Sequence, residues 1–278
     1  KARRSLGIGY IGLAHYLAKK GYKYDQKMAW RQVDKLTEAF QFYLLSASNT
    51  LAKEKGPCSA FKSTKYSDGI LPIDTYKKDV DELVNKRELT YDWEWLRKEI
   101  KEHGLRHSTL SAQMPSESSS VVSNATNGIE PPRDYLSVKK SKKGPLKQIV
   151  PEYSKLKNFY TLLWDMKGNE GYINIVAVMQ KYFDQAISGN WSYNPENYED
   201  NQVPVSVMAQ DLLSTYKFGW KTSYYQNTYD AKRDIDEPAH NIGWQDNVKE
   251  DPPLQNPAVE HYNNQLPLED EECDSCTI

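Results

Sequence analysis

The sequence has little cysteine, no long apolar run and no overall basic excess, and each absence narrows the possible functions. Its 278 residues include only three cysteines, Cys58, Cys273 and Cys276, which argues against a disulfide-stapled secreted domain and fits a reducing compartment. No apolar run approaches the length of about 18 residues that a membrane-spanning helix requires. The formal net charge of −2 argues against a general nucleic-acid-binding protein, which usually carries a basic excess.

The beginning of the sequence lacks two further features. The first residues, KARRSLGIGY, contain neither an initiator methionine nor a secretory signal. We therefore expect the sequence to begin in the middle of a longer protein. The length is nevertheless sufficient for a sizeable core, in one large domain or two small ones.

The small net charge conceals a strongly acidic end. Residues 231–278 hold 12 Asp and Glu against 3 Lys and Arg, a net of −9, so residues 1–230 carry +7. The same end has 5 of the 14 prolines and few aliphatic residues, a composition that cannot offset the entropy of ordering. We predict a folded domain over residues 1–229 and a flexible, disordered tail over residues 230–278.

Hydrophobic periodicity within the folded part predicts helices that alternate with short strands. Asp34–Lys55 is the clearest helix, and Gly56 is expected to end it. Its predicted apolar stripe consists of Ala39, Phe40, Tyr43, Leu44, Ala47, Leu51 and Ala52. The other predicted helices are Leu6–Lys20, Tyr91–His103, Asn158–Trp164, Ile173–Ser188 and Val205–Tyr216, and the predicted strands are Arg106–Met114 and Lys217–Thr228. This alternation is typical of an α/β fold with a largely parallel sheet or barrel.

A glycine pattern near the start formally matches the dinucleotide-binding fingerprint G-x-G-x-x-G, with Gly7, Gly9 and Gly12 in the three glycine positions. The fingerprint has meaning only after a strand and with an acidic residue about 20 positions later. No strand is predicted before it here. We therefore favour close helix packing over nucleotide binding for these glycines.

A serine-rich stretch is suited to holding an anion. A predicted strand leads to Pro115, which fits the first turn of a helix. Ser116, Ser118 and Ser119 would then place hydroxyl and backbone N–H groups at a helix N-terminus, where phosphate binds readily. Ordinary N-capping, with Glu117 as an early acid favoured by the helix dipole, explains the same residues. The residues alone leave both interpretations open.

Two cysteines, Cys273 and Cys276, lie near the end of the acidic tail, and such a pair can close and exchange a disulfide. Half a zinc site is an alternative, but zinc requires four ligands and only Cys58 remains. A thioredoxin-like motif would follow a strand in a folded βαβ unit, which this pair does not. We favour a carrier of reducing equivalents over an inert tail.

Two adjacent tyrosines, Tyr224 and Tyr225, lie near the end of the predicted strand Lys217–Thr228. Side chains on a strand alternate between its faces, so neighbours normally point in opposite directions. The β-propensity of aromatic residues is a sufficient explanation in a chain with 20 tyrosines. A functional explanation has to come from the rest of the sequence.

Several long stretches, in this order, resemble the large (alpha, catalytic) subunit of class I ribonucleotide reductase. The resemblance covers nearly the whole chain and is carried by RRSLGIGYIGLAHYLA, GILPIDTYKKD, HGLRHSTLSAQMPSESSSVVSNATNGIEPPR, FYTLLWDMKGNEGY, VMQKYFDQAIS, LLSTYKFGWKTSYYQNT and the cysteine-bearing acidic end. In that family the corresponding stretch is the C-terminal part of a ten-stranded α/β barrel, followed by a flexible tail. The resemblance therefore implies this fold here.

The resemblance implies a substrate-binding role for the serine-rich stretch. In the family a loop of this kind holds the diphosphate of the substrate. The positions of this sequence that match it are Pro115, Ser116, Glu117, Ser118 and Ser119.

The resemblance also implies roles in catalysis for two pairs of residues. Tyr224 and Tyr225 resemble the stacked pair that relays a radical from the small subunit to the catalytic cysteine. Cys273 and Cys276 resemble the tail dithiol that re-reduces the active-site disulfide after each turnover and is itself reduced by thioredoxin or glutaredoxin. Their spacing departs from that of enterobacterial-type relatives, which often have more residues between the two cysteines.

The partners and cofactors follow from the same resemblance. The family's thiyl-forming cysteine, its redox-active pair of cysteines and the Asn and Glu beside them precede the stretch RRSLGIG. We therefore expect a fragment, or the product of a gene split within the barrel, that reduces ribonucleoside diphosphates only with an N-terminal part and the small (beta) subunit. No cofactor is expected on this chain, whereas a di-metal, tyrosyl-radical cofactor is expected in the small subunit. The implied location is the cytoplasm of a bacterial cell or a phage-infected host, without membrane or direct nucleic-acid binding.

Two other functions remain open. The first is a non-catalytic interaction fragment that binds the small subunit. The second is a stand-alone dithiol oxidoreductase, which predicts disulfide reduction in the absence of nucleotide. Because half a parallel barrel leaves strand edges unpaired, the isolated chain is also expected to be unstable or to associate.

Overall fold

The computed structural model describes residues 2–141 and 144–229. Its helices are α1 (Leu13–Lys19), α2 (Lys27–Lys55), α3 (Pro72–Thr75), α4 (Asp81–Val84), α5 (Trp93–His103), α6 (Glu117–Val122), α7 (Tyr153–Leu156), α8 (Glu170–Gln180) and α9 (Val205–Phe218). Its strands are β1 (Leu136–Ser141), β2 (Gly144–Ile149), β3 (Ser188–Tyr193) and β4 (Thr222–Thr228). None of the helices in the described ranges is long and apolar enough to cross a membrane.

The strands of the described residues form two small sheets. β1 and β2 pair antiparallel, whereas β3 and β4 pair parallel, with α9 in the connection between the two parallel strands. One isolated parallel bridge joins Ile8 to Ser111. The predicted mixture of helices and strands is thus present, but a closed barrel is not seen within residues 2–141 and 144–229. The antiparallel hairpin was not anticipated.

The segment before α1 is extended, which corrects the predicted helix Leu6–Lys20. The backbone N–H groups of Leu6 and Ile8 donate to the carbonyls of Thr109 and Leu110 at 3.0 and 2.8 Å. Gly12 has a φ of +77° and precedes the first helical residue, Leu13. The helix is therefore confined to seven residues, because the backbone N–H groups of Leu6 and Ile8 bond to residues 109 and 110 instead of to carbonyls of a helix. The predicted strand Arg106–Met114 is extended along this contact but bridges only at Ser111.

Helix α2 confirms the predicted helix and its end at Gly56, but it begins at Lys27 rather than Asp34. Its buried face is not the predicted apolar stripe. Tyr43 and Ala47 of that stripe are exposed. The buried positions are Ala29, Val33, Asp34, Thr37, Glu38, Gln41, Phe42, Leu45, Ser48, Asn49 and Ala52. Buried polar groups require hydrogen-bond partners, and Asp34, Glu38 and Asn49 find theirs about 50 residues or more away in the chain. A prediction based on apolar residues alone therefore assigned the wrong face of α2 to the core.

The centre of the fold is α8, in which every residue from Gly171 to Gln180 is buried. A helix that is apolar around its whole circumference belongs in a core, and here Ile173 and Val176 have no exposed surface. The core around α8 includes Leu17 of α1 and Trp220 before β4. A second cluster joins α2 to α5 through Leu45, Leu96 and Ile100, among others.

Several predicted boundaries are also corrected. Asn158–Trp164 is not an α-helix, since it only overlaps the 3-10 turns Lys157–Phe159 and Leu163–Asp165. Ile173–Ser188 combines most of α8 with the first residue of β3. Helix α5 begins at Trp93 rather than Tyr91, and α9 confirms the predicted helix Val205–Tyr216.

The predicted strand Lys217–Thr228 is shorter than expected. Lys217 still belongs to α9, and Gly219, with a φ of +85°, ends that helix. The strand β4 therefore begins only at Thr222.

Candidate functional site

The two adjacent tyrosines of β4 are in direct contact. The ring centroids of Tyr224 and Tyr225 are 4.1 Å apart, and the Tyr225 hydroxyl donates to the Tyr224 hydroxyl at 3.2 Å. The hydrogen bond that Tyr225 donates to Tyr224 raises the pKa of Tyr225, since ionisation of Tyr225 would break it. The two residues are 54% and 59% exposed. This arrangement allows a proton or a hydrogen atom to pass between two chemically equivalent oxygens.

A β-bulge explains how consecutive residues reach the same side of the strand. In the register of the parallel pair, Gly189 faces Ser223 and Trp191 faces Gln226. One residue of β3, Asn190, therefore lies opposite two residues of β4, Tyr224 and Tyr225. An extra residue interrupts the alternation of side chains and bends the strand. The alternation rule therefore fails at the tyrosine pair.

Asn190 connects the bulge to the partly buried carboxyl group of Glu130. Its Oδ1 accepts from the backbone N–H of Tyr225 at 3.2 Å, and its Nδ2 donates to Oε1 of Glu130 at 2.7 Å. The other carboxylate oxygen, Oε2, accepts from Nδ2 of Asn127 at 3.1 Å. Burial raises the pKa of the Glu130 carboxyl, and the charge of Glu117 acts in the same direction, whereas the bond from Asn190 opposes both.

Sequence reasoning missed Glu130 and Asn190. Glu130 lies in the turn NGIEPP, whose glycine and prolines are typical of a rigid turn and carry no further signal. Asn190 carries no signal in the sequence, because its importance depends on which residues of β4 it faces.

The serine-rich stretch forms the short helix α6, and Pro115 lies before it rather than in its first turn. Ser116 is the N-cap residue, but its hydroxyl donates to the carbonyl of Met114 at 3.0 Å instead of capping the helix. Ser118 and Ser119 are exposed, whereas Ser120 is buried. The side-chain N-cap that was one explanation of these residues is therefore not formed by Ser116.

Helix α6 and the turn that carries Glu130 are held together. The hydroxyl of Ser120 accepts from the backbone N–H of Gly128 at 3.3 Å, and the backbone N–H of Ala125 donates to the carbonyl of Ser120 at 2.8 Å. Gly128 has a φ of +49°, a left-handed conformation that favours glycine. The serine helix, the carboxyl of Glu130 and the tyrosine bulge thus form one connected region.

The glycine fingerprint near the start serves packing. A side chain at Gly9 would collide with the carbonyl oxygen of Ala112 and with Gln113. The amide of Gln113 also accepts from the backbone N–H of Tyr10 at 3.1 Å and donates to its carbonyl at 3.0 Å. The expected close packing is thus found at Gly9, although this residue lies in an extended segment rather than in the predicted helix.

The cysteines divide between a core position and the tail. Cys58 is free and buried. Cys273 and Cys276 lie outside the described residues. Within residues 2–141 and 144–229, no three His, Cys, Asp or Glu side chains are grouped so that they could hold a metal ion.

Comparisons with known proteins agree on one family. The model of the family described as "Ribonucleotide reductase, barrel domain" matches residues 1–226. The chain is 57% identical over 236 residues to the ribonucleoside-diphosphate reductase subunit alpha of Haemophilus influenzae, a match that covers 85% of this chain and 31% of that protein. It is similarly 57% identical over 232 residues to ribonucleoside-diphosphate reductase 1 subunit alpha of Escherichia coli, covering 84% and 30%.

A more distant relative shows the same coverage. Ribonucleoside-diphosphate reductase subunit alpha of Enterobacteria phage T4 is 43% identical over 233 residues, which is 83% of this chain and 30% of that protein. The chain spans about a third of the length of the curated relatives it matches.

Proposed function

The chain belongs to the ribonucleotide reductase barrel-domain family, and on this premise we propose that it supplies the C-terminal part of a ribonucleoside-diphosphate reductase large subunit. The complete enzyme replaces the ribose 2′-hydroxyl of a ribonucleoside diphosphate with hydrogen by a radical mechanism. In this proposal, residues 1–229 complete the catalytic barrel and residues 230–278 act as a redox-active tail. The N-terminal part contributes the catalytic cysteines.

The contact between Tyr224 and Tyr225 is the observation that carries the proposal. A phenol has a pKa near 10, so at neutral pH it is oxidised without a large energetic penalty only if its proton leaves with the electron. When one tyrosine is a phenoxyl radical, the O–H bond of its neighbour breaks, and the hydrogen atom forms a new O–H bond on the first oxygen. The hydroxyl separation of 3.2 Å suits this transfer, and no charge is created.

The serine helix is proposed to bind the substrate diphosphate. Ser118 and Ser119 present exposed hydroxyls in the first turn of α6, where the first backbone N–H groups of a helix have no partner within it. Hydrogen bonds to a charged phosphate oxygen are stronger than those between neutral groups. Pro115, Ser116 and Glu117 complete the proposed loop.

The tail dithiol is proposed to return electrons to the active site. Cys273 and Cys276 would reduce the disulfide formed during turnover and would then be re-reduced by thioredoxin or glutaredoxin. The test is to replace Cys273 with serine in the assembled enzyme. Turnover should be lost with thioredoxin and retained with dithiothreitol, which can reach the active site directly. Loss of turnover with both reductants, or with neither, would contradict the role of the tail.

The proposed partner that delivers the radical is the small subunit, which would also hold the di-metal, tyrosyl-radical cofactor. Four large apolar residues of α9 are each more than half exposed: Val205, Leu212, Leu213 and Tyr216. With 100° per residue, Val205, Leu212 and Tyr216 share one face of the helix. Exposed apolar surface of this kind is typical of protein–protein contacts. Because α9 leads directly into β4, we propose that the small subunit covers this face.

The same face favours a second candidate, a non-catalytic fragment that only binds the small subunit. The two candidates differ in what the tyrosines must do. A binding fragment needs the face of α9 but not the hydroxyls of Tyr224 and Tyr225.

The deciding experiment replaces each tyrosine of the pair with phenylalanine in the chain assembled with an N-terminal part and the small subunit. Tyr224→Phe and Tyr225→Phe should each abolish deoxyribonucleoside diphosphate formation, since phenylalanine keeps the ring and removes the transferable hydrogen. Tyr43→Phe is the matched control, because Tyr43 is also 59% exposed but lies on α2. Full turnover in either variant of the pair would refute the relay and leave the binding fragment as the better explanation.

A further inference from the structure

The bulge that brings the two tyrosines together needs an explanation of its own. Bulges are common in antiparallel pairs and rare in parallel ones, yet β3 and β4 are parallel. A regular register would place Tyr224 and Tyr225 on opposite faces of β4. The contact between the rings therefore depends on whatever stabilises the extra residue.

Asn190 provides the hydrogen bond at the bulge. A bulged residue loses its regular pairing with the neighbouring strand, and here the backbone N–H of Tyr225 donates to the side-chain oxygen of Asn190 at 3.2 Å. Asparagine is suited to this role, because its short amide can replace a backbone carbonyl as an acceptor. The residue that faces the two tyrosines thus also supplies the partner that the irregular backbone requires.

Glu130 fixes the orientation of that amide. The Nδ2 group of Asn190 donates to the carboxylate at 2.7 Å, so Oδ1 is left to face the N–H of Tyr225. Glu130 is itself held, because its backbone N–H donates to the carbonyl of Asn127 at 3.0 Å and its Oε2 accepts from the Asn127 amide. The neighbouring Ile129 is buried, and its carbonyl accepts from the hydroxyl of Tyr24 at 2.6 Å. The amide of Asn190 is therefore attached to the core rather than to a mobile surface group.

We propose that Asn190, oriented by Glu130, is a positioning residue that maintains the bulge and so keeps the two phenols within transfer distance. This inference rests on the proposed function, in which the pair relays a radical. Because Ser120 of α6 contacts the same turn through Gly128, the pair Glu130–Asn190 also connects the proposed diphosphate-binding helix to the relay. Neither residue touches the reacting atoms.

The test uses the assembled enzyme with an N-terminal part and the small subunit. Asn190→Ala removes the acceptor of the Tyr225 N–H and should lower kcat for a ribonucleoside diphosphate at least tenfold, while KM stays within twofold. In the same variant, hydrogen exchange at the Tyr225 amide should accelerate at least tenfold. Asn197→Ala is the matched control, because its amide bonds to the carbonyls of Trp164 and Met166, and it should change neither quantity.

An exchange of donor and acceptor makes the test specific. Asn190→Asp keeps an acceptor for Tyr225 but places a second carboxylate against Glu130, so kcat should again fall at least tenfold. Adding Glu130→Gln supplies an amide that donates to the new carboxylate, with the charge moved by one residue. The double variant should recover to within threefold of the original kcat. If Asn190 only stabilised the fold, its substitution would weaken substrate binding and lower kcat together. The positioning role instead predicts a lower kcat at an unchanged KM, and recovery of kcat in the double variant.

The outcomes separate this inference from the proposed function. If Asn190→Ala turns over normally while Tyr224→Phe and Tyr225→Phe are inactive, the relay stands and the role of Asn190 is overturned. The role is equally overturned if Glu130→Gln fails to rescue Asn190→Asp, or if KM rises in parallel with the loss of kcat. If the tyrosine variants are themselves fully active, the proposed function fails.

Discussion

Two tyrosines of this chain make the same kind of hydrogen bond in opposite surroundings. The hydroxyl of Tyr182 donates to Oδ1 of Asp34 at 2.8 Å in the core, whereas the hydroxyl of Tyr225 donates to that of Tyr224 at 3.2 Å on an exposed strand. Burial, followed by the charge of Asp34, raises the pKa of Tyr182 far above its ordinary value. The partner of Tyr182 is a fixed carboxylate, while the partner of Tyr225 is a second phenol. The first bond can only hold the fold together, and the second can exchange a hydrogen atom.

The hydrogen bond between Tyr182 and Asp34 belongs to a network of charged side chains on the buried face of α2. Lys181 lies between two carboxylates, with its Nζ 3.0 Å from Asp81 and 3.5 Å from Asp34. Arg87 pairs with Asp34 and Glu38 from the other side. The predicted apolar stripe of α2 was wrong because these polar residues are buried with their partners. Substitutions in the charge network are therefore expected to change stability, whereas substitutions in the tyrosine pair are expected to change the proposed turnover.

The largest effect on stability is expected from Lys181→Met. Methionine has a similar length but leaves Asp34 and Asp81 without the cation between them. Removing one member of a buried ion pair typically costs about 3–5 kcal/mol. The measurement is native-state hydrogen exchange of the α2 amides in the assembled enzyme. Lys217→Met is the control, because Lys217 forms an exposed ion pair with Glu82. Equal protection in both variants would contradict a stabilising network.

A smaller loss is expected from Tyr182→Phe. The change removes one buried hydrogen bond to a carboxylate, and bonds to charged groups contribute about 1.5–3 kcal/mol. The α2 amides should exchange faster, whereas Tyr225→Phe should leave their exchange unchanged while abolishing turnover. If Tyr225→Phe destabilised α2 or Tyr182→Phe abolished turnover without loss of protection, the division between the two tyrosines would be mistaken.

The contrast between exposed and buried hydroxyls also applies to the serines of α6. Loss of a single hydrogen bond there is expected to change the free energy of binding or of folding by on the order of 1 kcal/mol. Ser118→Ala and Ser119→Ala should each raise KM for the ribonucleoside diphosphate roughly fivefold, because these exposed hydroxyls are proposed to contact the diphosphate. Ser120→Ala should instead weaken the attachment of the Gly128 turn. Steady-state kinetics and hydrogen exchange at Gly128 distinguish the two. Unchanged KM in both exposed variants would remove the support for this loop.

The smallest effect concerns alkaline pH. Burial raises the pKa of Tyr24 and Tyr182 well above the ordinary value near 10. Below pH 10 these phenols are protonated in both the folded and unfolded states, so the free energy of unfolding is unaffected. Above pH 10 the unfolded phenols ionise first, and the free energy of unfolding falls as the pH rises. Absorbance titration should show these tyrosines ionising only with unfolding, and a smooth titration without unfolding would contradict their burial.

The sequence predicted the segments whose signals are local. Helix α2 ends at Gly56 and α9 covers Val205–Tyr216 as expected, because glycine stops and helical periodicity act over a few residues. The first half of the predicted helix Leu6–Lys20 is not helical, because backbone pairing of Leu6 and Ile8 with residues 109–112 overrides local helical propensity, whereas Leu13–Lys19 forms α1. The buried face of α2 could not be predicted from the sequence either, since Asp34 and Glu38 bind partners that lie about 50 residues or more away in the chain.

By itself, the sequence determined the family, the adjacency of the two tyrosines and the acidic composition of the segment that carries the terminal cysteines. Motifs and composition are properties of the covalent chain, so they can be read without coordinates. Only the tertiary structure decided that Tyr224 and Tyr225 lie on the same side of their strand. That outcome depends on the register of β4 against β3 and on the amide of Asn190, and strand register is set by contacts between residues far apart in the chain.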